Sequence, residues 1–524
     1  MNMKSRIIPI IIVSFILLIP ISMSHKFLSN EEKSNLANKD PSITMSNPNN
    51  DGEWNHTYSD SYLYHNGYCV HETSDGGYII AGEVVLSNGI SDRPLLIKTE
   101  DIGNLIWMKT FGHKNSDASY VEETNDGGYI LVGTYYGSSW DMRLIKTDRD
   151  GNLVWDKILG TLSDETGECV HQTSDDGYIL CGSTSGDVWL VKTDDMGNIV
   201  WDKSFNTGSF AGGAESLQQT SDGGYILVGY AISSVSGEKS GDVLLIKTDN
   251  QGNMLWKKYF GGKGCDEGHW VEETRDGGFI IVGEFDRFGC DDIWLIKTDS
   301  EGNMVWNKSF GGGSWDEAYC VKETIDEGYI IVGGTYSYSR YGDEDLWLIK
   351  TDQYGNKEWG RILGGSGYDG GHFVDVINDG SYIVVGGTSS FISDNRSEVW
   401  LLKIVPDNKP PSKPIVTGSS TAKINKPYTI NISSVDPEDD DIYYFVVAWG
   451  IGVSGWIGPY QSGETVSFTV FTHAPRGVYN ITVKAIDSHG WESVMSDPLR
   501  VTFPKPFSLN LLPPFIQRML LSKI

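Results

Sequence analysis

Positive charge is scarce in this chain of 524 residues: 41 Lys and Arg stand against 70 Asp and Glu, a net charge of −29. A polyanion of that size is repelled by phosphate backbones, which excludes nucleic acid as a partner. Cysteine is scarce as well, and the six present form an even count that permits disulfides in an oxidising compartment. Long hydrophobic runs are nearly absent. The one apolar stretch, Ile7 to Ile21, is broken by Pro9 and Pro20, and it falls short of the ~20 residues that a membrane span needs. Motifs that mark particular chemistries are also missing. There is no EF-hand loop, no His-Glu-x-x-His, no phosphate-binding glycine loop and no Gly-x-Ser-x-Gly elbow. What is present is a core and turns. Hydrophobic residues make up 39%, with 17 Trp and 26 Tyr, and 62 glycines favour many tight turns between short strands.

The N-terminus sets the expected compartment. Lys4 and Arg6 precede the apolar run, and Ser22-Met23-Ser24 offers small residues where a signal peptidase reads. Residues 1–24 read as a secretory signal and residues 25–50, rich in Asn, Ser, Lys and Glu, as a flexible tether. The protein is therefore expected to be secreted or held at the cell surface. Sequons such as Asn307-Lys308-Ser309 and Asn480-Ile481-Thr482 would permit glycosylation there.

The middle of the chain is one unit written seven times. An Asp-Gly-Gly-Tyr signature, or a variant of it, ends at Tyr78, Tyr129, Tyr178, Tyr225, Phe279, Tyr329 and Tyr382. Each copy continues into a run such as Asp292-Ile293-Trp294-Leu295-Ile296-Lys297-Thr298-Asp299, then a Gly-Asn-x-x-Trp element such as Gly151-Asn152-Leu153-Val154-Trp155. Asp-Gly between apolar runs is a strong hairpin signal, because Gly accepts positive φ freely. No helical period appears in this region. Four strands per unit, repeated seven times, predict the blades of a β-propeller. The fourth-strand Trp recurs at Trp107, Trp155, Trp201, Trp256, Trp306 and Trp359, and the seventh unit lacks it. Asp51-Gly52-Glu53-Trp54, ahead of the first unit, matches the missing piece. The expected fold is thus all-β: a seven-bladed β-propeller over 51–406, closed by an N-terminal strand that leaves no open edge, plus a C-terminal immunoglobulin-like β-sandwich.

The region 51–406 resembles the secreted propellers of archaea and bacteria built from Asp-Gly-Gly-Tyr and Lys-Thr-Asp-x-x-Gly-Asn-x-x-Trp repeats, akin in design to Kelch, delta-60 and quinoprotein-type propellers. The resemblance implies a fold and a surface location, and no settled activity. The Asp-x-x-Gly-Asn-x-x-Trp turn is also similar to the Asp-box of sialidases, but its spacing is one residue longer and the repeats show no arginine triad. Sialidase activity is not carried over.

Residues present in every unit, such as the Trp series or Lys297 beside Asp299, read as architecture: a strand-end charge and a turn-forming Asp. Function on such scaffolds belongs to variable loops. The loops between strands two and three carry Tyr135, Trp140, Phe288, Tyr336, Tyr338 and Tyr341, and a loop between units carries Trp315. Aromatics among carboxylates such as Asp117, Glu267 and Glu317 suit stacking on sugars, and equally suit a protein surface, whereas Asp266, Asp316 and Asp369 recur at one position of the unit and read as turn caps. These rings are the expected ligand-binding residues; no catalytic residue is assigned. Carboxylate pairs such as Asp316-Glu317 would be the place for glycoside hydrolysis if the chain were an enzyme. His71 and His171 share one position with Glu122, Gln218, Glu272, Lys322 and Asp375, which reads as a polar ring near the axis. No cofactor is expected, calcium through clustered Asp being the one exception the composition suits. Cys265 and Cys290 are the expected disulfide, and Cys181 would face Cys169 across a hairpin.

Lys409-Pro410-Pro411-Ser412-Lys413-Pro414 marks a stiff linker over 407–414. Residues 415–503 then read as short strands of a sandwich. Val435-Asp436-Pro437-Glu438-Asp439-Asp440-Asp441 and Tyr479 to Asp487 resemble PKD or fibronectin-III modules, with the PKD Trp-Gly-Asp-Gly turn changed to Trp449-Gly450-Ile451-Gly452. The tail, 504–524, is amphipathic and reads as an envelope-attachment or membrane-interface segment. The expected function is recognition of glycans or cell-surface proteins through the variable-loop face. A glycan-active hydrolase or lyase on that face and a purely structural envelope component are the alternatives.

Overall fold

The structure, a computed structural model, describes residues 52–503 apart from 61–63, 86–91, 113–114, 209–210, 236–237, 263, 287–290, 340, 392–395, 407–408, 424–425, 449–451 and 472–476. The segments read from sequence as a signal, a tether and an amphipathic tail lie outside the described residues. Every regular element among the described residues is a β-strand. No helix among them is long and apolar enough to cross a membrane.

Six four-stranded antiparallel sheets, and a further run of four antiparallel strands inside a larger sheet, follow one another among the described residues, propeller-like in arrangement. In the third, Glu165–Gln172, Tyr178–Thr184, Asp187–Thr193 and Ile199–Phe205 pair in that order. The middle strands are covered on both faces, so they read as continuous apolar runs. In unit six Tyr329–Thr335 is buried throughout. The outer strands are far more exposed, and in unit three the consecutive Ile199 and Val200 are both open to solvent. Each unit's inner strand packs on the preceding unit, and Tyr64–Glu72 of unit one packs on Asp369–Val376 and Tyr382–Thr388 of unit seven. The strand Trp54–Tyr58 supplies the fourth strand of unit seven, with Trp54 opposite Lys403 and Tyr58 opposite Val399. First and last repeats are therefore joined by a backbone ladder, as the Trp count requires.

The repeated residues hold the turns. Thr73 Oγ1 donates to Asp75 Oδ1 at 2.6 Å, and Lys98 Nζ reaches the same oxygen at 2.8 Å and the Thr99 carbonyl at 3.0 Å. Lys297 repeats this with Asp276 at 2.9 Å, while Asp299 caps its own turn through Asn303. The two residues thus serve separate turns. The fourth-strand Trp packs across to the next unit: a Cβ on Gly151 would lie 2.6 Å from the ring of Trp107, which also meets Tyr129 at 6.1 Å.

The C-terminal residues form two sheets. Ile415–Thr417, Tyr428–Ser433 and Val466–Phe471 make one. Ile442–Ala448, Gly452–Tyr460, Gly477–Asp487 and Leu499–Phe503 belong to the other, and Ile430, Ile432, Val446, Val483 and Val501 fill the layer between. This second sheet is continuous with unit six, because Trp491–Glu492 pairs with Gly360 and Arg361 of the outer strand Lys357–Leu363. The C-terminal part is therefore docked on the repeats rather than hung from the proline linker. Trp491 meets Trp359 at 4.6 Å, and Glu492 accepts from Lys357, Lys484 and Trp347 Nε1.

Candidate functional site

The inner strands line the axis in layers. One layer is closed: Tyr120, Trp270 and Phe373, from units two, five and seven, meet across the axis with centroids 5.0 to 6.1 Å apart. On the Asp-Gly-Gly side of this plug lies the polar ring. His71 Nδ1 pairs with Asp375 at 3.0 Å and His171 Nδ1 with Glu122 at 3.0 Å, so these histidines are held in acid–base pairs across neighbouring units.

On the variable-loop side the plug is the floor of an acidic cup. A β-bulge interrupts the inner strand here, leaving one residue outside the ladder register: Tyr68, Glu168, Glu215, His269, Tyr319 and His372 in units one and three to seven. A bulge re-aims a side chain, and here it turns one toward the axis in each of these six units. His269, Tyr319, His372 and Tyr68 touch in series with centroids 5.2 to 5.5 Å apart. Above them stand Glu83, Asp117, Glu267, Glu284, Glu317 and Glu344. Tyr68 donates to Glu83 and Tyr319 to Glu317. Asp117 accepts from Thr134 N at 2.7 Å and Tyr136 OH at 2.9 Å. His269 Nε2 lies 3.1 Å from Glu284.

Most of these groups are half-buried, and burial is the first cause of the raised pKa of Glu83, Asp117, Glu267, Glu317 and Glu344, as in a recess rather than on a flat surface. Burial, then the field of neighbouring carboxylates, pushes Glu168 and Glu344 up to about 8 and Glu83 and Asp117 up to about 7. Burial opposes the charge on His269, but the bond to Glu284 and the fields of Glu284, Glu215 and Glu267 raise it to about 9. The repulsions run continuously from one unit to the next: Asp117 with Glu168, Glu168 with Glu215, Glu215 with Glu267, and Glu267 with Glu317.

The aromatics expected to bind ligand fall into three places. Trp315 is 46% exposed and Tyr341 49%, while Trp140 and Tyr135 are half-buried at the rim. Trp140 stands edge-on to Tyr136 at 5.0 Å. Tyr336 links rim to cup, with Trp315 at 6.4 Å on one side and the Glu344 carboxylate on the other. Tyr338 is a correction. It is 5% exposed, with its ring against Trp347 and Phe445, Lys484 Nζ 3.4 Å from the ring centroid and its carbonyl accepting from Trp456. It is part of the docking between unit six and the C-terminal sheets. Phe288 lies outside the described residues.

Cys290 also lies outside them, and Cys265 is a free thiol. Cys169 and Cys181 do stand opposite each other in the ladder, both as free thiols. A group able to hold a cation lies in the C-terminal sheets: Asp440, Asp487 and His489 bring ligand atoms within 4.8 Å of one another. His489 Nδ1 is 3.0 Å from Asp440, and Asp487, fully buried, is pushed up to about 7 by that burial.

The bulge residues and Glu344 were absent from the residues singled out in the sequence. Their signal is a column such as Gly167-Glu168-Cys169, Gly268-His269-Trp270 and Ala318-Tyr319-Cys320, whose centre changes chemistry while its flanks stay small and core-forming.

No family profile and no curated protein matches the chain. Among solved structures it is similar to the PKD domain of an M14-like peptidase from a Thermoplasmatales archaeon, with 38% identity over 19% of this chain and 99% of that domain, TM-score 0.18. It is also similar to Sqt1 from Chaetomium thermophilum (10% identity, 86% and 100% of the two chains, TM-score 0.40) and to a bifunctional GH43-CE protein of Bacteroides eggerthii (11%, 87% and 65%, TM-score 0.28).

Proposed function

We propose that the chain is a secreted or surface-attached seven-bladed β-propeller carrying an immunoglobulin-like, PKD-type module, and that it acts by binding. The target is a glycan or a cell-surface protein met by the variable-loop face. What supports this most is the blind cup. Tyrosines and carboxylates line a recess whose floor is shut by Tyr120, Trp270 and Phe373, and exposed Trp315 and Tyr341 stand at its rim. A closed recess holds a ligand and conducts nothing through. The tail at 504–524 would add envelope or membrane attachment, and calcium, if used, would draw on the carboxylates of Asp440 and Asp487.

A second reading, a glycan-active hydrolase or lyase, draws on Glu344 being shifted to about 8 beside Glu317. A carboxyl still protonated near neutral pH beside a second carboxylate is the pairing that glycosidic cleavage uses. A glycan array probed with the full-length protein, with and without calcium and with products analysed for cleavage, separates the readings. Binding without cleavage that weakens in Trp315→Ala and Trp140→Ala is expected. Cleavage abolished in Glu317→Gln would replace the binding reading with the enzymatic one.

A further inference from the structure

We propose that the axial cup binds a protonated primary amine, carried by a lysine side chain of a partner protein or by a free polyamine, with Glu344 and Glu317 as its charged contacts and the adjoining tyrosines as its wall. This rests on the variable-loop face being a binding surface and names the ligand chemistry at its centre.

Glu344 is the residue that points to a ligand. It is only 6% exposed, and its Oε1 has no hydrogen-bond partner. Its position shows where it aims. Gly334 stands opposite Glu317 in the ladder, and a Cβ on Gly334 would lie 1.9 Å from Glu344 Oε1. The same strand-two position holds Glu83 in unit one and Glu284 in unit five. A glycine in unit six therefore clears the space for a carboxylate arriving from the loop before Asp345–Thr351. Two acids are thereby set side by side in the cup, an arrangement that costs free energy unless a cation comes between them.

The cation that fits is organic rather than metallic. A metal needs ligand atoms converging on one point, and among the described residues that spacing occurs at Asp440, Asp487 and His489, not in the cup. The cup's carboxylates are instead spread around the axis with Tyr319 and Tyr68 between them. Aromatic faces attract an alkylammonium group, and desolvated carboxylates bond its three donors. The plug gives the recess a floor, so a chain end is accommodated rather than a thread passing through.

Calorimetric titration of the full-length protein tests this with two amines: an N-acetylated, C-amidated tetralysine peptide and spermidine. Controls are the same peptide acetylated on every side chain, and calcium chloride alone. Binding of at least one amine is expected, weakened tenfold or more in Glu344→Gln. That variant should melt no lower than the parent, since an amide is close in shape to the protonated carboxyl and ends its crowding with Glu317, whereas Glu301→Gln on an exposed turn should bind as the parent does. A stronger response to tetralysine assigns the amine to a protein partner, and a stronger response to spermidine to a polyamine. No heat with either amine, equal binding of the acetylated peptide, undiminished affinity in Glu344→Gln, or displacement of the amine by calcium would each overturn the proposal. If the amines fail while array binding still depends on Trp315, the cup assignment falls and the binding reading stands; if both fail, the binding reading falls with it.

Discussion

Arg361 holds Glu53 by two bonds, Nη1 to Oε1 at 2.7 Å and Nη2 to Oε2 at 3.0 Å. The same guanidinium donates from Nε to the His489 carbonyl at 3.0 Å and lies 5.0 Å from the Trp491 ring. One buried side chain of unit six thus ties the closing strand's lead-in to the C-terminal sheets. Arg361→Ala should destabilise by about 3–5 kcal/mol, because it strands Glu53 without a counter-charge. Arg361→Lys should recover only part, since an ammonium lacks the planar fork. Denaturant unfolding measures both, and a loss below about 1 kcal/mol in the alanine variant would refute the assignment.

Glu327 occupies, at φ 67°, the turn position that Gly76 holds at φ 86° in unit one. A side chain in the left-handed region costs roughly 1–2 kcal/mol. Glu327→Gly should therefore raise the melting temperature, the gain being about 1 kcal/mol after the added flexibility of the unfolded chain. A lower melting temperature would show that the Glu327 side chain earns its place by contacts instead.

Tyr338 and Trp315 were grouped together by sequence, and they should now part company. Tyr338→Ala opens a cavity at the docking of unit six and should cost about 3–5 kcal/mol. Trp315→Ala, at an exposed rim, should leave unfolding within about 0.5 kcal/mol of the parent and weaken target binding. Thermal melts run beside the array assay check both halves.

Stability should peak in mild acid. Glu168 and Glu344 are raised to about 8 in the folded state, so between the ordinary glutamate value and pH 8 the folded protein holds more protons than the unfolded one, and stability falls as pH rises. Asp75, Asp175 and Asp222 are lowered to about 2 despite partial burial, by bonds from Thr and Lys, and their contribution is lost as pH drops from about 4 to 2. Glu168→Gln should raise the melting temperature at pH 8 and leave it unchanged at pH 4. A parent protein more stable at pH 8 than at pH 5 would contradict this.

How much of this was legible in the sequence depended on the range of the interactions. The Asp-Gly-Gly turns and the Trp series depend on residues close in the chain or on a strict period, and they were readable; the bond from Lys297 to Asp276 was not, since the acid beside the lysine in sequence is Asp299. The strand Trp54–Tyr58 was found by counting, because one unit lacked a Trp. The cup was not readable. Its inner ring depends on a register slip that no single residue encodes, and its floor joins Tyr120 to Trp270 across 150 positions. Glu344 is understood only once Gly334 is seen beneath it. The docking of Trp491 and Glu492 on unit six likewise has no local signature, and nothing in the stiff proline linker at 407–414 announces the fixed contact that follows it.

The bulges carry a consequence for how such a protein can change. Each extra residue lies outside the ladder, so replacing it disturbs neither the hydrogen bonds of its strand nor the plug beneath. Glu168, His269 and Tyr319 differ completely in charge and shape, yet the strands around them are superficially the same. Ligand preference is thereby separated from foldability, and the interior of the cup can be rewritten one position at a time on an unchanged frame.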